Sequence, residues 1–199
     1  MSYVIAVLIL CQFFSVQLVL AFYENPNSQP ASSNLAIAKI SEPQTATKTP
    51  KGLPARLKIP RIHVDAVINH VGLLPDGSMG IPEHPLNAAW YKLGPKPGDT
   101  GSAVIDGHVN WWYGATGVFA HLSTVKPGDT ITVQDEQGKE THFIVRESRA
   151  FGFHEDASTV FRSYDGKAHL NLITCEGVWI KSAQAYSKRL VVFADKVEK

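Results

Sequence analysis

Short β-branched runs, broken every few residues by proline or glycine, leave this chain few folds to choose from. Leu57-Lys58-Ile59 is separated by Pro60-Arg61 from Val64-Asp65-Ala66-Val67-Ile68, and Leu74-Pro75-Asp76-Gly77 is turn chemistry. Further runs follow at 102–108, 130–133, 141–148, 170–175 and 188–194, with Gln137-Gly138 closing a hairpin and Asp165-Gly166 turning the chain. In 141–148, His142, Ile144 and Arg146 alternate with Phe143, Val145 and Glu147, one face in and one out. The pattern amounts to roughly seven or eight short strands and little helix, an all-β sandwich or barrel. Periodicity alone leaves both open. Residues 81–101 carry Pro82, Pro85, Pro95 and Pro97 and read as loop, with one helical turn near 88–91 whose Trp90 and Tyr91 pack inward. Another short helical turn is expected at 119–122, and Asp156 is placed to cap a helical segment ending near Phe161.

The N-terminus is of another kind. Residues 1–22 contain no Asp, Glu, Lys or Arg. At about 1.5 Å per residue such a run reaches across a hydrocarbon core of about 30 Å as a helix. Residues 1–23 are therefore read as a membrane anchor, the alternative being a signal peptide cut near Val19-Leu20-Ala21. Cys11 lies inside this run and is read as a membrane-buried thiol. Residues 24–53 hold Pro26, Pro30, Pro43 and Pro50 among small polar residues and contain no aromatic ring, so they bury too little apolar area to offset their ordering entropy. They read as a flexible linker, leaving 54–199 as one domain large enough for a real core.

A net charge of +1 gives no electrostatic case for nucleic acid as a partner. Neither cysteine has a Cys-x-x-Cys spacing, the histidines are scattered, and no acidic cluster suggests calcium; no metal or other cofactor is expected.

Chemistry concentrates at three strand ends. Leu170-Asn171-Leu172-Ile173-Thr174-Cys175-Glu176-Gly177 alternates apolar and polar residues and runs out at Cys175, which has no disulfide partner in the soluble part of the chain. Read by itself, Cys175 is either a nucleophile or a buried structural thiol. Ala103-Val104-Ile105-Asp106-Gly107-His108 ends in a histidine, and Lys188-Arg189-Leu190-Val191-Val192-Phe193-Ala194 opens with an arginine. Each places a polar group where a rigid scaffold presents it to solvent. Asp106, two residues before His108, shares its face in an extended strand and is a weak candidate for orienting the imidazole.

Together these strands resemble those of the sortases, membrane-anchored cysteine transpeptidases of Gram-positive bacteria. The family's strand-end motif is similar to Thr-Leu-x-Thr-Cys; here Asn171-Leu172-Ile173-Thr174-Cys175 departs only at the first position. The resemblance covers residues 54–197, with His108, Cys175 and Arg189 in the family's order, and looks closest to the small class F or class D types. It implies a closed eight-stranded barrel with one or two short helices and an extracellular catalytic domain on a single-pass anchor. It also implies cleavage of a Leu-Pro-x-Thr-Gly-like sorting signal between Thr and Gly. The partners implied are sorting-signal-bearing secreted proteins and an amine acceptor, a cell-wall precursor or a pilin lysine.

In that scheme Cys175 forms the thioacyl bond, His108 moves the proton, and Arg189 stabilises the oxyanion and favours the thiolate. Thr174 and Glu176 are candidate second oxyanion donors, through the hydroxyl of the former and the amide of the latter. Two other readings stand beside it: a cysteine protease in which water resolves the thioacyl, and an anchored β-barrel binding module with an inert thiol.

Overall fold

The computed structural model describes residues 52–152 and 154–198. Eight strands close into a barrel in the order β1-β2-β3-β4-β7-β8-β6-β5, with β5 (Thr130–Asp135) returning to β1 (Pro54–Ile59). Two neighbouring pairs are parallel: β2 (Val64–Val71) with β3 (Ala88–Tyr91), and β4 (Gly101–Gly107) with β7 (Ala168–Ile180). The remaining pairs, including β6 (Glu140–Gly152) with β8 (Ala185–Lys196), are antiparallel. Closure answers the sandwich-or-barrel question left open by the sequence pattern, and it removes exposed sheet edges.

Alternation along the strands explains the two apolar layers. On β4, β7 and β8, the residues Ala103, Ile105, Leu170, Leu172, Leu190, Val192 and Ala194 point inward to the barrel core with Phe119 and Phe143. Val104, Val191 and Phe193 point outward and build a second cluster with Phe151 of β6 and Val160. That outer cluster would face water without its cover, a segment containing α1 (Ser158–Phe161). Asn171 pins the cover by donating from Nδ2 to the Val160 carbonyl at 2.6 Å. A sheet face apolar on both sides is unusual for antiparallel strands and marks where something packs on the outside.

Residues 88–91 form β3 where a helical turn was expected. The parallel ladder to β2 decides the conformation, and Trp90 is buried with its indole N–H donating to the Pro95 carbonyl at 3.0 Å. The turn expected at 119–122 is present, closed by the Leu122 N–H donating to the Phe119 carbonyl at 3.1 Å, and it runs on into a 3₁₀ turn at Leu122–Thr124. Asp156 accepts from the Ser158 backbone N–H at 2.8 Å, holding the entry to α1 from two residues upstream. Among the described residues no helix is long and apolar enough to cross a membrane. The N-terminal run read as an anchor, Cys11 and nearly all of the linker lie outside the described residues.

Candidate active site

Cys175 and Arg189 are direct cross-strand partners on β7 and β8. Both side chains belong to the outer face, because Thr174 and Leu190, their inward neighbours, are buried. The thiol is free and half-buried. Burial pushes its pKa up, the Arg189 guanidinium pulls it down, and the Asp106 carboxylate adds to the rise. Arg189 is held by its own strand: Nη1 donates to the carbonyls of Tyr186 at 3.2 Å and Lys188 at 3.1 Å.

His108 follows β4 directly. The parallel register pairs Asp106 with Ile173, so two residues further on His108 lies level with Cys175. The Thr174 hydroxyl fixes that level by donating to the Gly107 carbonyl at 2.7 Å. Gly107 admits no side chain here, since a Cβ would stand 2.5 Å from the Phe119 ring. The Phe119 N–H in turn donates to the His108 carbonyl at 2.9 Å. The imidazole packs edge-on against Trp111, with ring centres 4.7 Å apart, and Nε2 lies 2.9 Å from the Pro82 carbonyl. A carbonyl only accepts, so Nε2 carries a proton there and Nδ1 is the nitrogen left for proton exchange.

Two cavities flank the Cys175–Arg189 pair, one lined by each residue. One, of about 360 Å³, is the groove on the outer face, lined by Met79, Ile81, Phe161, Ile173 and Val191 together with Asp106 and Arg189. The other, of about 150 Å³, is lined by Cys175 itself with Glu176, Gly177, Ser123 and Tyr186. The hairpin of β7 and β8 overhangs it, braced by Asn110 Nδ2 donating to the Tyr186 hydroxyl at 2.7 Å. Gly177, at φ +84°, forms the bulge that swings the hairpin, and a Cβ there would sit 2.3 Å from the Ser187 hydroxyl.

The sequence-derived residues thus fall at one rim: Cys175 beside Arg189, with the His108 backbone level on the next strand. Thr174 turns inward and its proton is committed to Gly107, so it ties β4 to β7. Glu176 is half-buried in the smaller cavity. Asp106 lines the groove with Arg189, while the imidazole of His108 is oriented by Pro82 and Trp111. Pro82, Asn110 and Tyr186 were not singled out as site residues from the sequence, while Trp111 belongs to the aromatic run 111–113 after His108, one ring of which was expected to wall the cleft. Pro82, Asn110 and Trp111 come from loops, where no periodicity reports which side chain turns inward, whereas Tyr186 lies near the start of β8.

A closed barrel with a free thiol and a guanidinium side by side at the rim of an apolar outer groove defines a class, the barrels built around a thiol-centred cleft. The sortase domain profile matches residues 57–197, and the chain belongs to the sortase family, a family of cysteine transpeptidases. No curated relative matches the chain by sequence. Among solved structures it is similar to sortase C-1 of Actinomyces oris, at 23% identity over 73% of this chain and 74% of that one, with a TM-score of 0.57. A lid mutant of sortase A from Corynebacterium diphtheriae matches at 22% identity over 77% and 75%, TM-score 0.58. The sortase D5 transpeptidase of Clostridium perfringens matches at 18% over 73% and 79%, TM-score 0.54. At these identities the likeness is one of fold, and it is shared almost evenly among differently lettered sortases.

Proposed function

We propose that this protein is a membrane-tethered transpeptidase that cleaves a Leu-Pro-x-Thr-Gly-like sorting signal between Thr and Gly and joins the threonine to an amine. The observation that carries the proposal is the cross-strand pairing of Cys175 with Arg189, which lines a largely apolar groove of about 360 Å³. The Cys175 thiolate attacks the threonine carbonyl carbon, forming a C–S bond. Arg189 stabilises the oxygen that becomes negative. As the tetrahedral species collapses, the C–N bond to glycine breaks and a proton from His108 goes to the departing amine. An incoming amine then gives up a proton to His108, forms a C–N bond at the same carbon and releases the thiolate.

The groove supports the acyl half of this scheme, since apolar walls suit the Leu-Pro end of the signal. The smaller cavity beyond Cys175 supports the amine half: Glu176 places a carboxylate where a protonated amine would wait. The uncharged run at residues 1–22 supports an anchor, with the proline-bearing stretch at 24–53 as tether, which keeps the groove within reach of membrane-held partners.

The test is incubation with Leu-Pro-x-Thr-Gly peptides, with and without triglycine, read by product mass. The expected products are a thioacyl adduct on Cys175 and, with triglycine, the ligated peptide. Cys175→Ala is expected to lose turnover by at least ~10³-fold, as removal of a covalent nucleophile does. Release of free threonine acid at the same rate with and without triglycine would instead make the protein a protease. A thiol that forms no adduct with any peptide would sink the enzymatic reading.

A further inference from the structure

The outer groove is lined mostly by apolar side chains, with Ser78, Asp106, Glu155 and Arg189 the polar ones. Ile173, Val191, Phe151 and Val160 form its floor and walls, with Val104 packed in the same apolar cluster; its charged residues are Asp106, Arg189 and Glu155, and Glu155 is already paired with Arg149. Asp106 pairs across with Ile173, which pairs with Val191, while Cys175 and Arg189 stand one outward position further along their strands. The carboxyl is therefore one strand across and two residues back from the thiol. The three groups feel one another: Asp106 raises the Cys175 pKa, and Arg189 opposes the rise in the Asp106 pKa.

Yet no ion pair joins Asp106 to Arg189 among the described residues, and the Arg189 hydrogen bonds run to backbone carbonyls. A half-buried carboxyl in an apolar groove is unfavourable unless something donates to it. Burial accordingly lifts its pKa to about 7, despite the guanidinium and the Gly107 backbone N–H. Opposite charges set apart across a cleft suit a ligand group carrying an acceptor for one and a donor for the other. A threonyl unit at the scissile bond has both, in its carbonyl oxygen and its hydroxyl.

We infer that Asp106 is a specificity-determining residue, accepting a hydrogen bond from the side-chain hydroxyl of the substrate residue whose carbonyl Cys175 attacks. The inference rests on the transpeptidase reading above and adds to it the group that recognises threonine at the cut. It assigns to Asp106 a role in binding substrate, separate from the imidazole.

The experiment compares kcat/KM for a Leu-Pro-x-Thr-Gly peptide and its counterpart with valine in place of threonine. The two differ by one hydroxyl at nearly constant shape. Full-length protein, Asp106→Ala and Asp106→Asn are each assayed with triglycine as acceptor. The native protein is expected to favour the threonine peptide by roughly 10- to 100-fold, the range of a hydrogen bond to a charged group. Asp106→Ala is expected to bring the two peptides within about threefold, through loss of rate on threonine, while Asp106→Asn keeps an intermediate preference through its neutral amide oxygen. Thermal midpoints are expected not to fall, because an unpaired carboxyl has been removed.

An unchanged ratio in Asp106→Ala overturns the inference. So does an equal fall on both peptides, which would assign Asp106 to the peptide backbone or to folding. If the native protein forms no thioacyl adduct with either peptide, the transpeptidase reading fails and this inference fails with it. An adduct with an unchanged ratio sinks this inference alone.

Discussion

Two cavities share the outer face of β4, β7, β8 and β6, with Phe151 common to both, and they use charge in opposite ways. The one at the thiol end keeps Asp106 and Arg189 near each other but unbonded between apolar walls. The other, at the start of β4 and β7, is larger at about 440 Å³ and lined by Arg146, Arg149, Arg162, Asp165 and His169. There most charge is already satisfied. Arg146 pairs with Asp195 and Glu147, Arg149 with Glu155, and His169 lies between Asp165 and Asp195. The two cavities are distinguished less by size than by the charge each leaves available for a ligand. A charge in reach of a substrate acts on it only if the protein has not already neutralised it.

The sharpest way to break this contrast is to remove one arginine from each end. Arg189→Ala is expected to lower kcat/KM by about 10²- to 10³-fold, the effect of deleting one oxyanion donor. It should also move the midpoint of Cys175 alkylation by iodoacetamide to higher pH, because the group that lowers the thiol pKa has gone. Arg146→Ala, at the polar end, is expected to leave kcat/KM within about twofold, since its exposed ion pairs contribute little. Comparable losses from both variants would show that the two cavities act as one peptide channel.

The second contrast is in stability against pH, where the two ends carry opposite signs. Asp106 has a folded pKa raised to about 7, so the native state holds its proton more tightly than the unfolded chain does. Stability from this group is full below about pH 4, the ordinary carboxylate range, and is lost as pH rises toward 7. Asp106→Asn is expected to remove that loss, so its unfolding midpoint in denaturant should exceed that of the native protein at pH 8 and converge with it near pH 4. An advantage that is the same at both pH values would mean that packing, and not ionisation, accounts for the change.

What the sequence made legible, and what it hid, follows the same line between strands and loops. Period-two alternation set Cys175 at a strand end and Arg189 at the start of the next; in the structure β7 runs on to Ile180 and β8 begins at Ala185, so both lie inside longer strands, where the antiparallel ladder makes them neighbours. The same alternation puts Asp106 on the outer face with Val104, yet its association with Arg189 needs the β4–β7–β8 order, which is a long-range fact. Residues 88–91 were misread because a strand of four residues between prolines carries too little periodicity to oppose local turn signals. The Pro82 carbonyl that holds His108 was invisible for a deeper reason: a backbone acceptor has no side-chain signature. Closure of the sheet was implied by family resemblance, and pattern alone did not choose it over a sandwich.

The smallest effect belongs to the polar end, and it runs the other way with pH. The Asp165 carboxyl is held well below the usual carboxylate range, first by its hydrogen bond to His169, then by the Lys167 N–H and the Ser163 hydroxyl. A carboxyl of this kind stabilises the fold above the unfolded pKa, and the stabilisation is lost as pH falls through the folded value. Asp165→Asn is therefore expected to fall short of the native protein above about pH 4 and to converge with it only in stronger acid, as pH drops through the folded value. The gap at pH 7 should be modest, because Asp165 is exposed and solvent screens its partners. Urea titrations of both variants at pH 4 and pH 7 check the pair together. Asp106→Asn should diverge from the native protein as pH rises through that interval, and Asp165→Asn should fall below it by a smaller amount. If the two curves moved in the same direction, charge at the thiol end would be as fully satisfied as at the polar end, and the distinction between the cavities would dissolve.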